Sequence, residues 1–162
     1  MRTIRLDAFE LFHAAQVGMK RRINGIYKRD RAGVVITEEY GNPTIGWNRD
    51  IHGAIGEYAF AKLLNLPWHN PTVFGYDAQG RKLPDVGKYE VRSIEDPDRG
   101  LLIRSNDTHP CVLMLGRDIE WHCMGWIEPT RAREIGKVLQ SPGRPDCWIV
   151  PKSHLAQFLE DV

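Results

Sequence analysis

The chain has 162 residues, 42% hydrophobic and 27% charged, with a formal net charge of +1. This is the composition of an ordinary soluble globular protein, most simply one domain over 1–162, and it rules out a molecule that grips nucleic acid by bulk charge alone. No run approaches the ~20 apolar residues of a membrane span, residues 1–7 lack the apolar stretch of a secretion signal, and a cytoplasmic location away from membranes is expected.

Three cysteines, Cys111, Cys123 and Cys147, are odd in number and form no CxxC pair. They read as buried free thiols rather than a disulfide framework.

Residues 7–29 predict a helix. Phe9, Phe12, Met19, Ile23 and Ile26 recur at three-to-four spacing, and Asp7 can cap the start. Phe9, Phe12, Met19 and Ile23 are expected to pack inward, with Lys20, Arg21, Lys28 and Arg29 facing solvent. Residues 1–31 carry eight Lys/Arg against three Asp/Glu, an excess that attracts phosphates or simply solvates a helix face. Residues 34–37 predict a short strand, and Gly41-Asn42-Pro43 a turn.

A second helix is expected over 51–64, capped by Asp50 and ended by Asn65-Leu66-Pro67. Its Gly53 and Gly56 permit close approach of another backbone. Glu57 has Gly53, Ala54, Phe60, Ala61 and Leu64 as helical neighbours, so its carboxylate points inward or into a cleft.

Strands are expected at 73–76, 89–94, 101–104, 111–115 and 121–127, the last two joined by a hairpin at Gly116-Arg117-Asp118. A helix at 129–138, a strand at 148–150 and a closing helix at 152–159 complete the chain. This order predicts an α/β fold, with α+β as the alternative, built on a central mixed sheet flanked by helices. It divides into an N-terminal helical segment (1–30), a core (50–128) and a C-terminal helix-strand-helix (129–162).

The densest chemistry lies in residues 84–92. Asp85 and Glu90 flank a tight turn at Gly87, and Arg92 follows two residues after Glu90, on the same face of a strand. Clustered carboxylates beside one cation are what metal-assisted phosphodiester cleavage requires: the acids hold Mg2+, and the cation orients water or phosphate.

The set Glu57, Asp85, Glu90-Val91-Arg92 resembles the PD-(D/E)XK, or restriction-endonuclease-like, nuclease superfamily. There a helix supplies a Glu, one strand an Asp, and the next strand (Asp/Glu)-x-Lys. The stretches Gly53-x-x-Gly56-Glu57, Asp85-Val86-Gly87, Glu90-Val91-Arg92 and Gly125-Trp126-Ile127 are also similar to a group of small phage proteins. The resemblance implies a restriction-endonuclease-like core with an added N-terminal helix. It also implies a Mg2+- or Mn2+-dependent DNA endonuclease or exonuclease, phage-encoded and active in the host cytoplasm. Asp85, Glu90, Glu57 and the Val91 carbonyl would then be metal ligands, and Arg92 would contact the scissile phosphate. Two features depart from the family. Arg92 stands where the family has Lys, so it cannot be a general base. Only four residues separate Asp85 from Glu90.

Lys20, Arg21, Lys28, Arg29, Lys88 and Arg104 are candidate DNA contacts. A zinc site between His109, Cys111, His122 and Cys123 is disfavoured, since adjacent His122 and Cys123 point to opposite faces of a strand. Trp47 and Trp68, flanking the Glu57 helix, are the tryptophans most suited to face a ligand; the others read as core. No phosphate-binding loop, dinucleotide fingerprint or serine-nucleophile elbow occurs. The alternative function is a non-catalytic accessory protein that binds nucleic acid or a protein partner, with Arg92 neutralising Glu90. A homodimer is also open.

Overall fold

The structure is a computed structural model that describes residues 1–31, 43–69, 83–140, 142–143 and 145–158, without the side chains of 28–31 and 43–45. The strands expected at 34–37 and 73–76, Gly41-Asn42 of the expected turn, and the side chains of Lys28 and Arg29 lie outside the described residues.

The fold is mixed α/β. Strand β1 (Arg2–Arg5) leads into helix α1 (Ala8–Arg31), which pairs with α2 (Pro43–Leu64). There follow β2 (Glu90–Ile94), β3 (Leu101–Arg104), β4 (Cys111–Arg117), β5 (Glu120–Ile127), α3 (Pro129–Ile135), β6 (Lys137–Leu139), β7 (Cys147–Val150) and a 3-10 turn at Lys152–His154. One sheet runs β1-β5-β4-β2, with β2 parallel to β4 and the other pairs antiparallel. The second, β3-β7-β6, is antiparallel. Among the described residues no helix is long and apolar enough to cross a membrane.

Helix α1 begins with a reciprocal cap. The Glu10 amide donates to Asp7 Oδ1 at 2.9 Å, and the Asp7 amide donates to Glu10 Oε2 at 2.8 Å. Its buried face is made mainly of small residues, Ala14, Val17 and Gly18, with Arg22 buried beside them. A Cβ on Gly18 would stand 2.5 Å from the Ile51 Cα, so this glycine sets how closely α2 can lie. The inward packing expected of Phe9, Phe12, Met19 and Ile23 does not occur; all four are exposed. Helix α1 carries two stripes, and the one of small residues wins the core because it lets two backbones approach.

Helix α2 starts eight residues before the expected position. Pro43 suits a first helical turn, and Asp50 sits within the helix, 3.9 Å from the Arg22 guanidinium, rather than at its cap. The predicted end is observed. Asn65 takes φ 50°, and the Leu66 amide reaches back to the Ala61 carbonyl at 2.9 Å.

Three other elements differ from expectation. Strand β1 has no strong local signal and forms by pairing with β5. The helix from Pro129 stops at Ile135, and residues 137–139 pair with β7 instead. The closing helix is one 3-10 turn, after which Leu155 is extended and Ala156 pairs with Trp126.

The first sheet separates two cores. On one face Val91, Val112, Met114 and Trp121 pack with Ala59 and Phe60 of α2. On the other, Cys111, Leu113 and Ile127 pack with Leu101, Ile103, Val150 and Ala132 from the second sheet and α3. Among the described strands β2 therefore lies at the edge of the first sheet, with a packed layer on each side.

Candidate functional site at the edge of strand β2

Gly56 brings α2 against β2. A Cβ there would overlap the Ser93 Oγ and stand 3.0 Å from the Trp121 ring. Glu57, the next residue, is 6% exposed. Its carboxylate takes a fork from Arg21 of α1, Nη1 to Oε1 and Nη2 to Oε2, both at 2.7 Å. The Trp68 indole N–H donates to Oε2 at 2.8 Å. Arg21 also lies over the Trp68 ring, 5.9 Å from its centroid. Trp68 thus faces Glu57, while Trp47 is exposed on α2.

After α2 the chain runs back beside residues 85–87. The Gly87 amide donates to the Pro67 carbonyl at 2.9 Å, and the His69 amide to the Asp85 carbonyl at 3.0 Å. Val86 and Tyr89 pair across a two-residue turn in which Gly87 takes φ +57°. This turn folds Asp85 back onto β2, where its Oδ2 accepts the Val91 amide at 2.9 Å. The neighbouring Glu90 amide is spent on the Pro110 carbonyl on the β4 side. Asp85 therefore caps β2 on the side where no described strand pairs with it.

Glu90 and Arg92 share the face opposite α2, since Val91 and Ser93 face the helix. Glu90 is 2% exposed. Arg92 bridges two acids, Nη1 to Glu90 Oε2 at 3.3 Å and Nη2 to Asp107 Oδ1 at 2.8 Å. Asp107 also accepts the Arg104 amide at 2.8 Å and lies 3.8 Å from the Cys111 thiol. Arg133 donates to the Asp107 carbonyl from α3.

The electrostatics follow from these pairs. Burial would lower the pKa of Arg92, but the charges of Asp107, Glu90, Cys111 and Asp85 outweigh it and raise the value above the ordinary arginine range. Burial likewise opposes Arg21, and Glu57, with Asp85 and Asp50, reverses it, so this pKa is raised too. Both guanidinium charges are fixed, and both feel the charge of Asp85. Burial pushes the Cys111 thiol up to about 12, with Asp107 adding and Arg92 opposing.

Glu57 reaches the edge from the helix side, Asp85 lies along it, and Glu90 and Arg92 come from the opposite face. Among the described residues no three acidic, histidine or cysteine side chains are grouped to hold a metal ion. Of the candidate phosphate contacts, Lys20, Lys88 and Arg104 are exposed, whereas Arg21 is turned onto Glu57. His122 bonds to Thr3, and Cys123 is buried on the helix-side core with its thiol pushed by burial up to about 11. Two participants were not singled out from sequence as site residues: Asp107, whose only local signal was a polar run after a strand, and Arg21 as a partner of Glu57.

No family model matches the chain, and no curated protein and no solved structure is found to be similar to it.

Proposed function

We propose that the chain is a metal-dependent phosphodiesterase acting on DNA, encoded by a bacteriophage and working in the host cytoplasm. The observation that carries this reading is the 2.9 Å hydrogen bond from the Val91 amide to Asp85. It sets the Asp85 carboxylate beside the strand that bears Glu90 and the Val91 carbonyl. These are hard oxygen donors of the kind Mg2+ and Mn2+ select, and they are the residues that would hold the cation. A bound cation would supply a water of lowered pKa and a Lewis acid for the phosphate.

The chain's own residues have distinct tasks on this reading. Arg92 stays charged at any working pH and binds a phosphate oxygen without moving a proton. Asp107 holds Arg92 and fixes its direction. Glu57 is committed to Arg21 and Trp68, and positions the guanidinium whose field reaches Asp85. Exposed Lys88 and Arg104 would meet the DNA backbone, and binding through them weakens steeply with salt.

A second reading is favoured by the Arg92 bridge itself. A guanidinium shared by two buried acids is also what a structural ion pair looks like. On that reading the protein is a non-catalytic accessory factor that binds nucleic acid or a protein partner. Differential scanning fluorimetry with Mn2+ or Mg2+ separates the two. A phosphodiesterase gains thermal stability from the ion and loses that gain in Asp85→Ala. No ion-dependent gain, and no cleavage of single-stranded, double-stranded or branched DNA, selects the non-catalytic reading.

A further inference from the structure

Helix α1 exposes Phe9 (77%), Phe12 (58%), Met19 (39%), Ile23 (43%) and Tyr27 (61%), although its other face already supplies the core. The positions are not scattered. Phe9, Gln16 and Ile23 are seven apart, as are Phe12, Met19 and the half-buried Ile26. These are the a and d positions of nearly three heptads, with a polar residue at the central a. The stripe runs along a helix of 24 residues.

We propose that this stripe is a self-association surface, and that two copies of the chain pair antiparallel through α1. The sequence is self-complementary in that orientation. Sliding one helix over a reversed copy sets Phe9 against Ile26, Phe12 against Ile23 and Gln16 against Met19, and the two-fold axis repeats all three layers. One axial shift satisfies every layer, as an isologous contact demands. Between Phe9 and Ile26 the stripe itself carries no charged residue. Lys20, on its flank, falls level with Ala15 of the second copy, five residues or about 7.5 Å of helix rise from the second Lys20, so this pair opposes association weakly and the apolar layers carry it. The area is sufficient as well. The exposed side chains offer on the order of 500 Å2 per copy, hence about 1,000 Å2 across a pair, the lower edge of a specific interface. A reversible dimer of micromolar affinity is expected from a contact of this size.

The test is sedimentation equilibrium on the full chain from about 1 to 200 μM. The unaltered protein should show a concentration-dependent monomer–dimer equilibrium. Phe12→Glu and Ile23→Glu should each weaken it at least a hundredfold, because each buries an unpaired carboxylate. Circular dichroism of these variants should show the helices intact, since both side chains are exposed in the single chain. Gln16→Leu should tighten the dimer about tenfold or more by removing the polar layer. Orientation is read in a Cys147→Ser background. Antiparallel pairing makes Gln16→Cys cross-link with Met19→Cys when the two are mixed, while Gln16→Cys alone stays uncross-linked. A monomer at 200 μM, a dimer that survives Phe12→Glu, or cross-linking of Gln16→Cys with itself would overturn the proposal. So would a monomer whose stripe instead binds vesicles of anionic lipid.

Discussion

Arg21 and Glu57 meet through two parallel hydrogen bonds of 2.7 Å, which tie α1 to α2 at the buried acid of α2. The pair is largely withdrawn from solvent, with side chains 16% and 8% exposed. Breaking a buried pair by removing one partner costs far more than a surface bridge, because the remaining charge stays desolvated. Glu57→Ala and Arg21→Ala should each destabilise the protein by about 3 kcal/mol, a fall of roughly 6–12 °C in Tm for a chain of this size. The double variant should lose much less than the sum of the two. Additive losses in a double-mutant cycle would show that the fork contributes little.

Gly56 and Ser93 make the second contact that positions the site. The Ser93 Oγ is buried, with no hydrogen-bond partner among the described residues, and lies where a Cβ of residue 56 would go. Gly56→Ala should therefore destabilise by about 1–3 kcal/mol through overpacking against Ser93 and Trp121. Ser93→Ala alone should be neutral or stabilising, since it removes an unsatisfied buried hydroxyl. Combined with Gly56→Ala, it should recover part of the loss. Urea denaturation of the four proteins checks this, and a Gly56→Ala variant as stable as the parent would refute the close contact.

How much of this was legible in the sequence depends on the range of each interaction. The aliphatic runs at 101–104 and 111–115 announced their strands, and Asn65 its helix end, because those signals are local. Glu90 and Arg92 share a face by strand alternation alone. Strand β1 was missed because Arg2-Thr3-Ile4-Arg5 owes its conformation to β5, more than a hundred residues away. The inward face of α1 is not legible from hydrophobicity, because its small residues, rather than its large apolar ones, let α2 approach closely. Asp107 and the Arg21–Glu57 fork were beyond reach, since distant segments build them.

The buried thiols give a pH dependence whose sign is fixed. The Cys111 thiol is raised by burial to about 12, and Cys123 to about 11, from an ordinary value near 9. Between those limits the unfolded chain releases protons that the folded chain retains. Stability is thus fully present below about pH 9 and declines as pH rises toward 11 and 12. Melting temperature should fall over that window, and Cys111→Ala should flatten the fall. At pH 8 an aromatic disulfide reagent should react promptly with Cys147, the half-exposed thiol, and reach the other two only on unfolding. Equal reactivity of all three in the native protein would contradict the packing around Cys111.

Arg92 offers the sharpest division between the two functional readings. Glu90 and Asp107 are both almost wholly buried, so Arg92→Ala takes one guanidinium from two desolvated carboxylates and should cost about 3–5 kcal/mol of stability on either reading. The distinguishing variant is Arg92→Lys. It retains a charge near Glu90 but cannot span Glu90 and Asp107 with one planar fork. If Arg92 acts on phosphate, Arg92→Lys keeps measurable Mn2+-dependent cleavage, while Arg92→Ala, assayed below its melting temperature, loses turnover by about a hundredfold or more. If the bridge is purely structural, both variants shift only the melting temperature, with Lys intermediate. Turnover and melting temperature measured on the same preparations decide the matter: a loss of turnover that merely tracks the folded fraction would remove Arg92 from the chemistry.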